Sequence, residues 1–509
     1  MTSERLDPPG FETSLGALAA EIGPATVQGN GAVRVRGIRQ DSRAVGQGDL
    51  FVARKGERVD GLAFVQTAID KGAAAIMAQQ DHAPGDLPVP VILVRDIRVA
   101  ISKAASMIYG HPGKALDVVG ITGTNGKTTS SYLVQAAIDG TGRRAAVLGT
   151  LGVHFAGLDL PSSHTTPEAD DLIRMAATLR GAGATHLVME VSSHALAQHR
   201  ADAMRYRVAA YTNLTRDHLD FHGTMEAYAQ AKSRLFEELS PESAAIMIDD
   251  AFGMELASKV KCPLVRVSRH ATSNADVRPC STIEHDIRGT RCEVSTPSGK
   301  VALASPLVGE HNLSNMLLAL GIVSALGLPM DGAAQSLDAK ITVPGRLERC
   351  DGPGDDVIVL VDYAHSPDAL ERALLAIRSL THARVICVFG CGGDRDRTKR
   401  PLMGDIAGRL SDVAILTNDN PRSEPPQSIL DAVLEGLKGK KAEVVVEPDR
   451  ARAIDLAIAG AHAGEVILLA GKGHEPYQII GDVTRHFDDR EEARRALSER
   501  RARQQGKVG

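Results

Sequence analysis

Residues 120–129 read Gly-Ile-Thr-Gly-Thr-Asn-Gly-Lys-Thr-Thr, directly after the apolar run Ala115-Leu-Asp-Val-Val119. A strand runs into a glycine-rich turn, and a lysine with two threonines then opens a helix. This order predicts a phosphate-binding loop. Glycines let backbone N–H groups approach phosphate oxygens, and the new helix presents its positive dipole end. In such a loop Lys127 reaches the terminal phosphates and the Thr128 hydroxyl sits on Mg²⁺. The spacing departs from the common G-x-x-x-x-G-K-[ST] form, because Ile121 stands where the first glycine belongs. The competing reading is a plain glycine-rich turn. Strand, Gly-Lys-Thr and helix in the required order weigh against it.

Outward from this loop, short apolar runs alternate with helical patterns, the signature of parallel α/β sheets. A chain of 509 residues has room for about three domains. The first section, 1–113, has predicted strands at Leu50–Ala53, Ala74–Ala78 and Val89–Val94, helices over 61–71 and 97–109, and a closing turn at His111-Pro-Gly113. The second, 114–343, adds strands at Leu187–Val191, Val208–Asn213 and Ala244–Ile248 and a helix from Asn312 to Leu326. Within it, 263–305 reads as an antiparallel flap of short strands, and the section ends at the break Val343-Pro-Gly345. The third, 344–509, repeats strand and helix, with strands at Val357–Val361, Val385–Phe389, Val413–Leu416, Val444–Val446 and Val466–Leu469. Its last helix, Arg- and Glu-rich over 489–504, reads as a solvated surface helix.

The chain is 43% hydrophobic and 24% charged, an ordinary globular composition, and its net charge of −5 argues against a nucleic-acid binder. Six cysteines are scattered without a C-x-x-C pair, which suggests neither a zinc site nor a disulfide framework. The N-terminus carries no apolar signal core, and no stretch approaches the roughly 18 apolar residues of a membrane span. A cytoplasmic protein in a reduced setting is expected.

Polar clusters stand at predicted strand ends. Glu190 closes Leu187-Val-Met-Glu190 and is followed by Val-Ser-Ser-His194; a carboxylate there can hold Mg²⁺, against the plainer reading of a surface carboxylate. Asn213-Leu-Thr-Arg-Asp-His-Leu-Asp-Phe-His222 is balanced between a metal or phosphate site and surface histidines. Lys232, within Tyr228-Ala-Gln-Ala-Lys-Ser-Arg-Leu-Phe236, reads by itself as a surface lysine on a helix. Four more polar loops follow strands of the third section: Asp362-Tyr-Ala-His-Ser-Pro-Asp368, Gly390-Cys-Gly-Gly-Asp-Arg-Asp-Arg397, Thr417-Asn-Asp-Asn-Pro-Arg-Ser-Glu424 and Gly471-Lys-Gly-His-Glu475. Each alone is compatible with turn chemistry. Together they mark the carboxyl edge of one sheet, where open α/β folds bind ligands. Arg395 and Arg422 can pair with a carboxylate and Glu475 can receive an ammonium, so a zwitterionic amino acid is the natural guest.

These strings resemble the Mur ligases of peptidoglycan synthesis along nearly the whole chain. The resemblance rests on Gly123–Thr129, Glu190-Val-Ser-Ser-His194, Asn213–His222, Asp362-Tyr-Ala-His365 and Asp419-Asn-Pro-Arg422, five signatures in the family's order. The last points to members that add diaminopimelate rather than lysine. The resemblance implies three domains: a smaller N-terminal α/β domain for the UDP end, a central mostly parallel sheet of P-loop ATPase type, and a C-terminal Rossmann-like domain for the amino acid. By motif match, ATP would meet Gly123, Thr124, Asn125, Gly126, Lys127, Thr128 and Thr129, with Asn315, Arg346 and His365 on the nucleotide side. Two Mg²⁺ ions would meet Thr128, Glu190, His218 and Lys232, the last as an N-carbamate; Lys127, Lys232 and His218 are the implied catalytic set. Ser42 would contact the uridine part, and Thr165, Thr166, Ser192, Gln198 and Arg200 the muramoyl-dipeptide. Arg395, Asp419, Asn420, Arg422, Gly471 and Glu475 would hold diaminopimelate.

The implied reaction joins meso-diaminopimelate to the D-Glu of UDP-N-acetylmuramoyl-L-alanyl-D-glutamate through an acyl phosphate made from ATP. Three substrates on separate domains imply domain closure, and a monomer is expected. Folylpolyglutamate synthases share the phosphate loop, and a lysine-adding ligase shares more, but neither accounts for Asp419-Asn-Pro-Arg422. A nucleotide-dependent switch is the reading from another class; it has no need of a polar pocket in the third section.

Overall fold

The computed structural model describes residues 8, 11–56, 59–160, 162, 164–287, 289–338 and 343–506. Residues 1–7, read above for a signal core, lie outside the described residues. Two compact units form: residues 1–281 with 293–302 and 314–337, and residues 282–292 and 303–313 with 338–509.

The first unit holds two sheets. In the smaller, strands β1 (Ala25–Gln28), β2 (Gly37–Arg39), β3 (Asp49–Ala53), β4 (Ala75–Gln79) and β5 (Val91–Val94) lie in the order β1-β5-β4-β3-β2, all parallel except β1. Every residue of β3 and β5 is buried, which is why these strands read as unbroken apolar runs. Helix α1 (Ile97–Ile108) is capped by Asp96, whose carboxylate accepts from the backbone N–H groups of Arg98 and Val99. His111-Pro-Gly113 is not a simple turn: His111 is left-handed (φ 50°), and Pro112 opens a one-turn helix to Ala115.

The larger sheet follows the order β9-β8-β7-β10-β6-β11-β12-β13. Its strands are β6 (Asp117–Thr122), β7 (Ala145–Gly149), β8 (Gly152–Phe155), β9 (Leu158–Leu160), β10 (His186–Glu190), β11 (Tyr206–Tyr211), β12 (Ser243–Met247) and β13 (Leu264–Val267). From β7 to β13 the sheet is parallel, so β6, β10 and β11 end side by side at one edge. Helix α2 (Lys127–Asp139) starts at that edge, α3 (Ala169–Gly181) precedes β10, the short α4 (Ser193–Ala197) follows it, and α5 (Met225–Glu237) follows β11. The expectation for 263–305 is corrected in part: Leu264–Val267 is the parallel edge strand of this sheet. Antiparallel pairing begins later, between Arg278–Pro279 and Val294–Ser295 and between Glu284–Asp286 and Gly289–Arg291. The predicted helix at Asn312–Leu326 spans Glu310–Leu326 and is α6.

The second unit is a sheet in the order β14-β15-β19-β16-β17-β18, made of β14 (Glu348–Arg349), β15 (Ile358–Asp362), β16 (Val385–Phe389), β17 (Val413–Leu416), β18 (Glu443–Val446) and β19 (Val466–Ala470). All neighbours but β14 and β15 are parallel. Helices α7 (Pro367–Leu380), α8 (Lys399–Leu410), α9 (Pro426–Leu437), α10 (Arg450–Gly460) and α11 (Asp489–Gln505) provide the cover. One apolar core includes Leu370, Leu374, Met403 and Val433; the other includes Ile454, Ile458, Ala493 and Leu497. The surface-helix reading of α11 therefore holds for only part of its circumference. A hairpin, β20 (Tyr477–Ile480) with β21 (Val483–His486), stands beside the carboxyl edge.

Candidate active site

Gly126 caps α2 in left-handed backbone (φ 84°), and Gly123 turns with φ 149°. A Cβ on Gly123 would lie 1.8 Å from Thr212 Oγ1, and one on Gly126 would lie 2.4 Å from Asn315 Oδ1. Conformation and close approach both require glycine here. The loop is pinned to the segment after β11: Thr124 N donates to Asn213 O (2.8 Å), Asn125 N to Asn213 Oδ1 (3.0 Å) and Thr212 Oγ1 to Asn125 O (2.7 Å). Ser130 Oγ donates to Asn315 Oδ1 at 3.2 Å, which brings Asn315 to the loop. Thr128 and Thr129 are buried in the first turn.

Two lysines converge on one carbonyl. Lys127 Nζ donates to Gly123 O and Thr124 O, both at 2.9 Å, and Lys232 Nζ donates to Gly123 O, also at 2.9 Å. The surface reading of Lys232 is corrected: the residue is 1% exposed, and its ammonium lies 4.3 Å from the centre of the Tyr228 ring. Tyr228, Ala231, Lys232 and Leu235 form the buried stripe of α5, so the lysine occupies a core position. Burial holds its pKa well below the ordinary ammonium range, and the charge of Lys127 pushes the same way.

Glu190 is 1% exposed and is no surface carboxylate. It accepts from Thr128 Oγ1 (3.1 Å), Thr150 N (2.8 Å) and Thr150 Oγ1 (3.1 Å). Gly149 leaves room for it, because a Cβ there would lie 2.1 Å from Glu190 Oε1. Hydroxyl and carboxylate side by side at a strand edge suit a hard cation. Mg²⁺ takes one or two carboxylates and completes its shell with phosphate oxygens and water, so the donor set fits it. Among the described residues no three His, Cys, Asp or Glu side chains gather into a metal cluster. His218, left-handed at φ 53°, lies 4.9 Å from His194 and 6.0 Å from Tyr228, ring centre to ring centre.

A second polar group adjoins Glu190. Thr165 Oγ1 is 3.0 Å from Thr150 Oγ1. Thr166 Oγ1 donates to Glu190 O (2.8 Å) and accepts from Ser192 N (3.0 Å). Arg200 donates to Thr166 O (3.1 Å) and Gln198 Oε1 (2.6 Å) and pairs with Glu168 at 2.8 Å. Glu168 also faces Arg54, just after β3, at 3.6 Å. Thus Thr165, Thr166, Ser192, Gln198 and Arg200 are brought together. Ser42, buried after β2, forms no hydrogen bond to them among the described residues. Two residues earlier, Gln40 donates from N (3.0 Å) and Nε2 (2.7 Å) to the buried carboxylate of Asp170.

In the second unit, the loops after β15, β16, β17 and β19 share one edge, as the parallel strands demand. Gly392 lies between two arginines: a Cβ there would be 2.9 Å from Arg422 Nη1 and 4.0 Å from Arg395 Cγ. Arg422 is left-handed (φ 54°) and donates through Nη1 to Gly393 O at 2.8 Å. Asn420 Nδ2 donates to Glu475 Oε2 (3.1 Å), and Tyr363 OH to Glu475 Oε1 (3.4 Å). Gly471 (φ 120°) passes the Asp419 carboxylate so closely that a Cβ would lie 2.8 Å from Oδ2. Arg346 lies 5.7 Å from the Tyr363 ring centre, and the His365 ring is 4.4 Å from it. Burial pushes Asp362, the floor of this loop, up to about 6.

The sequence reading missed Thr150, Thr212 and Tyr228, which support the phosphate loop and Glu190, and Tyr363 and Lys472 around Glu475. Ala145-Ala-Val-Leu-Gly149 carried the apolar strand signal that would have led to Thr150. Lys472 sits in a loop with no periodicity to read.

Polar groups thus gather at the glycine-loop edge of one unit, around Lys127, Lys232 and Glu190, and at the carboxyl edge of the sheet in the other, around Arg422 and Glu475. The chain belongs to the Mur ligase family. It matches the Mur ligase catalytic domain over residues 34–122, the middle domain over 121–323 and the glutamate ligase domain over 345–473. It is 45% identical over 475 residues to UDP-N-acetylmuramoyl-L-alanyl-D-glutamate–2,6-diaminopimelate ligase of Gloeobacter violaceus, covering 92% of this chain and 95% of that protein. The protein of the same name from Geobacter metallireducens is 43% identical over 514 residues, covering 96% and 99%. A solved structure with that ligase name superposes with a TM-score of 0.70 at 33% identity, covering 96% of this chain and 99% of the other.

Proposed function

We propose that this protein joins meso-2,6-diaminopimelate to the D-Glu of UDP-N-acetylmuramoyl-L-alanyl-D-glutamate at the expense of ATP, in peptidoglycan synthesis. The relatives named above support the substrates. The observation that carries the reading is the loop cluster at this carboxyl edge, which holds Arg422 and Arg395 beside Gly392 and Glu475 hydrogen-bonded to Asn420. Arg422 and Arg395 take the distal carboxylate, and Asp419, Asn420, Glu475 and the Gly471 backbone take the ammonium end. The domains are 1–113 for the UDP substrate, 114–343 for ATP and 344–509 for the amino acid.

A bare carboxylate is a poor acylating group at neutral pH. The D-Glu carboxylate therefore attacks the terminal phosphorus of ATP, the bond to ADP breaks, and an acyl phosphate forms. The amine of diaminopimelate attacks the acyl carbon, loses a proton, and phosphate leaves with the C–O bond electrons. Lys127 exchanges the Gly123 and Thr124 carbonyls for phosphate oxygens and neutralises charge on the transferred group. Gly123–Thr129 cradles the phosphates, Asn315, Arg346 and His365 serve the nucleotide side, Ser42 holds the uridine part, and Thr165, Thr166, Ser192, Gln198 and Arg200 orient the dipeptide.

Lys232 is a carbamate in the working enzyme. Its depressed pKa favours the neutral amine, which adds CO₂ and releases a proton, turning a buried cation into an oxygen donor. Thr128, Glu190, His218 and the carbamate would hold two Mg²⁺ ions, which supply charge neutralisation on the phosphates when bound.

Phosphate release is the test, measured with the UDP-muramoyl-dipeptide and a panel of amino acids. Release should require all three substrates, and diaminopimelate should exceed L-lysine in kcat/KM by about 10⁴-fold, because lysine leaves Arg422 unpaired. Similar kcat/KM for both, or steady release without any amino acid, would overturn the assignment.

A further inference from the structure

Two loops of the second unit are fastened together on both sides of Arg422, and one fastening is a buried ion pair that the reaction above does not use. Glu424 lies in the loop after β17, and Arg400 stands in the first turn of α8, beyond the loop after β16. Arg400 donates to the Glu424 carboxylate through Nη2 (2.9 Å) and Nη1 (3.2 Å), and the two side chains are 3% and 8% exposed. Arg400 Nη2 also reaches the Gly392 carbonyl at 3.4 Å. Glu424 Oε1 accepts from the Asp394 backbone N–H (2.7 Å), and the exposed Arg397 lies 3.2 Å from Oε2.

Around this pair the loops are joined residue by residue. Gly393 N donates to Asn420 O (2.9 Å), and the Asp394 carboxylate accepts from Ser423 N (3.0 Å) and Ser423 Oγ (2.8 Å). The approach is tight: a Cβ on Gly393 would lie 1.8 Å from the Pro421 carbonyl oxygen. Asp394 and Arg422 are both left-handed at φ 54°, a conformation that needs support from its surroundings. Arg422 has two separate anchors. Its backbone is held by the hairpin, with Arg422 N donating to Ile479 O (3.1 Å) and Gly481 N to Arg422 O (2.8 Å). Its guanidinium is held by the Gly393 carbonyl, on the stretch that Glu424 and Arg400 fasten. A buried carboxylate–guanidinium pair adds little stability over an apolar pair of similar volume, but its directed bonds fix geometry.

We propose that Glu424 and Arg400 are positioning residues for recognition of the distal carboxylate of diaminopimelate: their ion pair holds Gly392–Asp394 so that the Gly393 carbonyl orients the Arg422 guanidinium. This rests on the functional reading given above, in which Arg422 meets that carboxylate. The pair acts through Arg422, so its effect falls on the choice between diaminopimelate and lysine, which lacks the distal carboxylate.

The test is steady-state phosphate release with ATP, the UDP-muramoyl-dipeptide and either diaminopimelate or L-lysine. Glu424→Leu combined with Arg400→Met removes both charges together, so that neither is left buried and unpaired. In this double variant KM for diaminopimelate should rise about fivefold or more, while KM for ATP and kcat/KM for L-lysine stay within about twofold. Glu424→Gln, which keeps an acceptor for Asp394 N and Arg400, should raise KM for diaminopimelate less, by about twofold. In an Arg422→Ala background the double change should add less than about twofold, because groups that act through one another are not additive. An unchanged KM for diaminopimelate in the folded double variant would overturn the inference. So would a full rise that persists without Arg422, or a parallel loss for ATP, diaminopimelate and lysine, which marks a structural prop. If the double variant does not fold, Glu424→Gln decides: a rise confined to diaminopimelate and absent in the Arg422→Ala background supports the inference, and any other result overturns it. If wild type does not use diaminopimelate, the functional reading falls and this inference falls with it.

Discussion

Lys127 and Lys232 donate to the same Gly123 carbonyl, yet their surroundings differ. Lys127 is half-buried at a helix start and can swing to a phosphate. Lys232 is packed under the Tyr228 ring, where a permanent charge is disfavoured. Lys127→Ala should therefore lower kcat by about 100-fold or more while the melting temperature changes little, since only a phosphoryl-stabilising charge is removed. Near-normal turnover in the folded variant would refute that placement. Lys232→Ala should be almost inactive, and formate or acetate should restore part of the activity by supplying the missing oxygen donor. An active alanine variant, or an unmodified lysine by mass spectrometry of the active native enzyme, would sink the carbamate.

Helices and strands place these groups through simple devices. Thr224 caps α5 by accepting from Ala227 N, which sets the register that turns Lys232 inward. Asp170, in the first turn of α3, is 3% exposed and ties that helix to Gln40 near the end of β2. Burial raises its pKa to about 6, with Asp171 adding to the effect and the Gln40 bonds opposing it. A carboxyl raised in the fold binds its proton more tightly there than in the unfolded chain. Stability should thus fall as pH rises from about 4 to about 6, by an amount on the order of 2–3 kcal/mol, and level off above. Among the described residues Gln40 Oε1 is buried without a partner, so an amide at 170 can pair with it after a flip of the Gln40 side chain. Asp170→Asn should melt higher relative to wild type at pH 6.5 than at pH 4.5. A melting-temperature gap that does not widen across that range would reject Asp170 as the titrating group.

Over the whole molecule, the phosphate loop and the Arg422 pocket belong to different compact units. Damage to one should be read separately from damage to the other. Arg422→Ala removes a charge-assisted contact to a carboxylate and should raise KM for diaminopimelate at least about tenfold. KM for ATP should stay within about twofold, in contrast to Lys127→Ala. Equal rises in both constants would mean that Arg422 supports the fold or the nucleotide instead of the amino acid. The pocket is assembled from loops after four strands plus one hairpin, so no contiguous stretch of chain contains it.

The local order of strand, glycine turn and helix at 115–129 was legible, because the strand, its turn and the following helix are written in adjacent residues. Apolar runs likewise located eleven strands of the three larger sheets within a residue or two, because strands buried on both faces are apolar throughout, but Ala25–Gln28, Gly37–Arg39 and the fully buried Ala145–Gly149 were missed. The strand Leu264–Val267 escaped this rule: it is a half-exposed edge, and its pattern is no different from that of the flap beyond it. Lys232 was nearly legible, for it stands at helical spacing from Tyr228 and Leu235, but a lysine in an apolar stripe reads as an interruption until its surroundings are known. Lys472 gave no such signal. Its burial beside Glu475 and its bond to the Tyr477 carbonyl exist only once tertiary packing has brought the loop after β19 against β20.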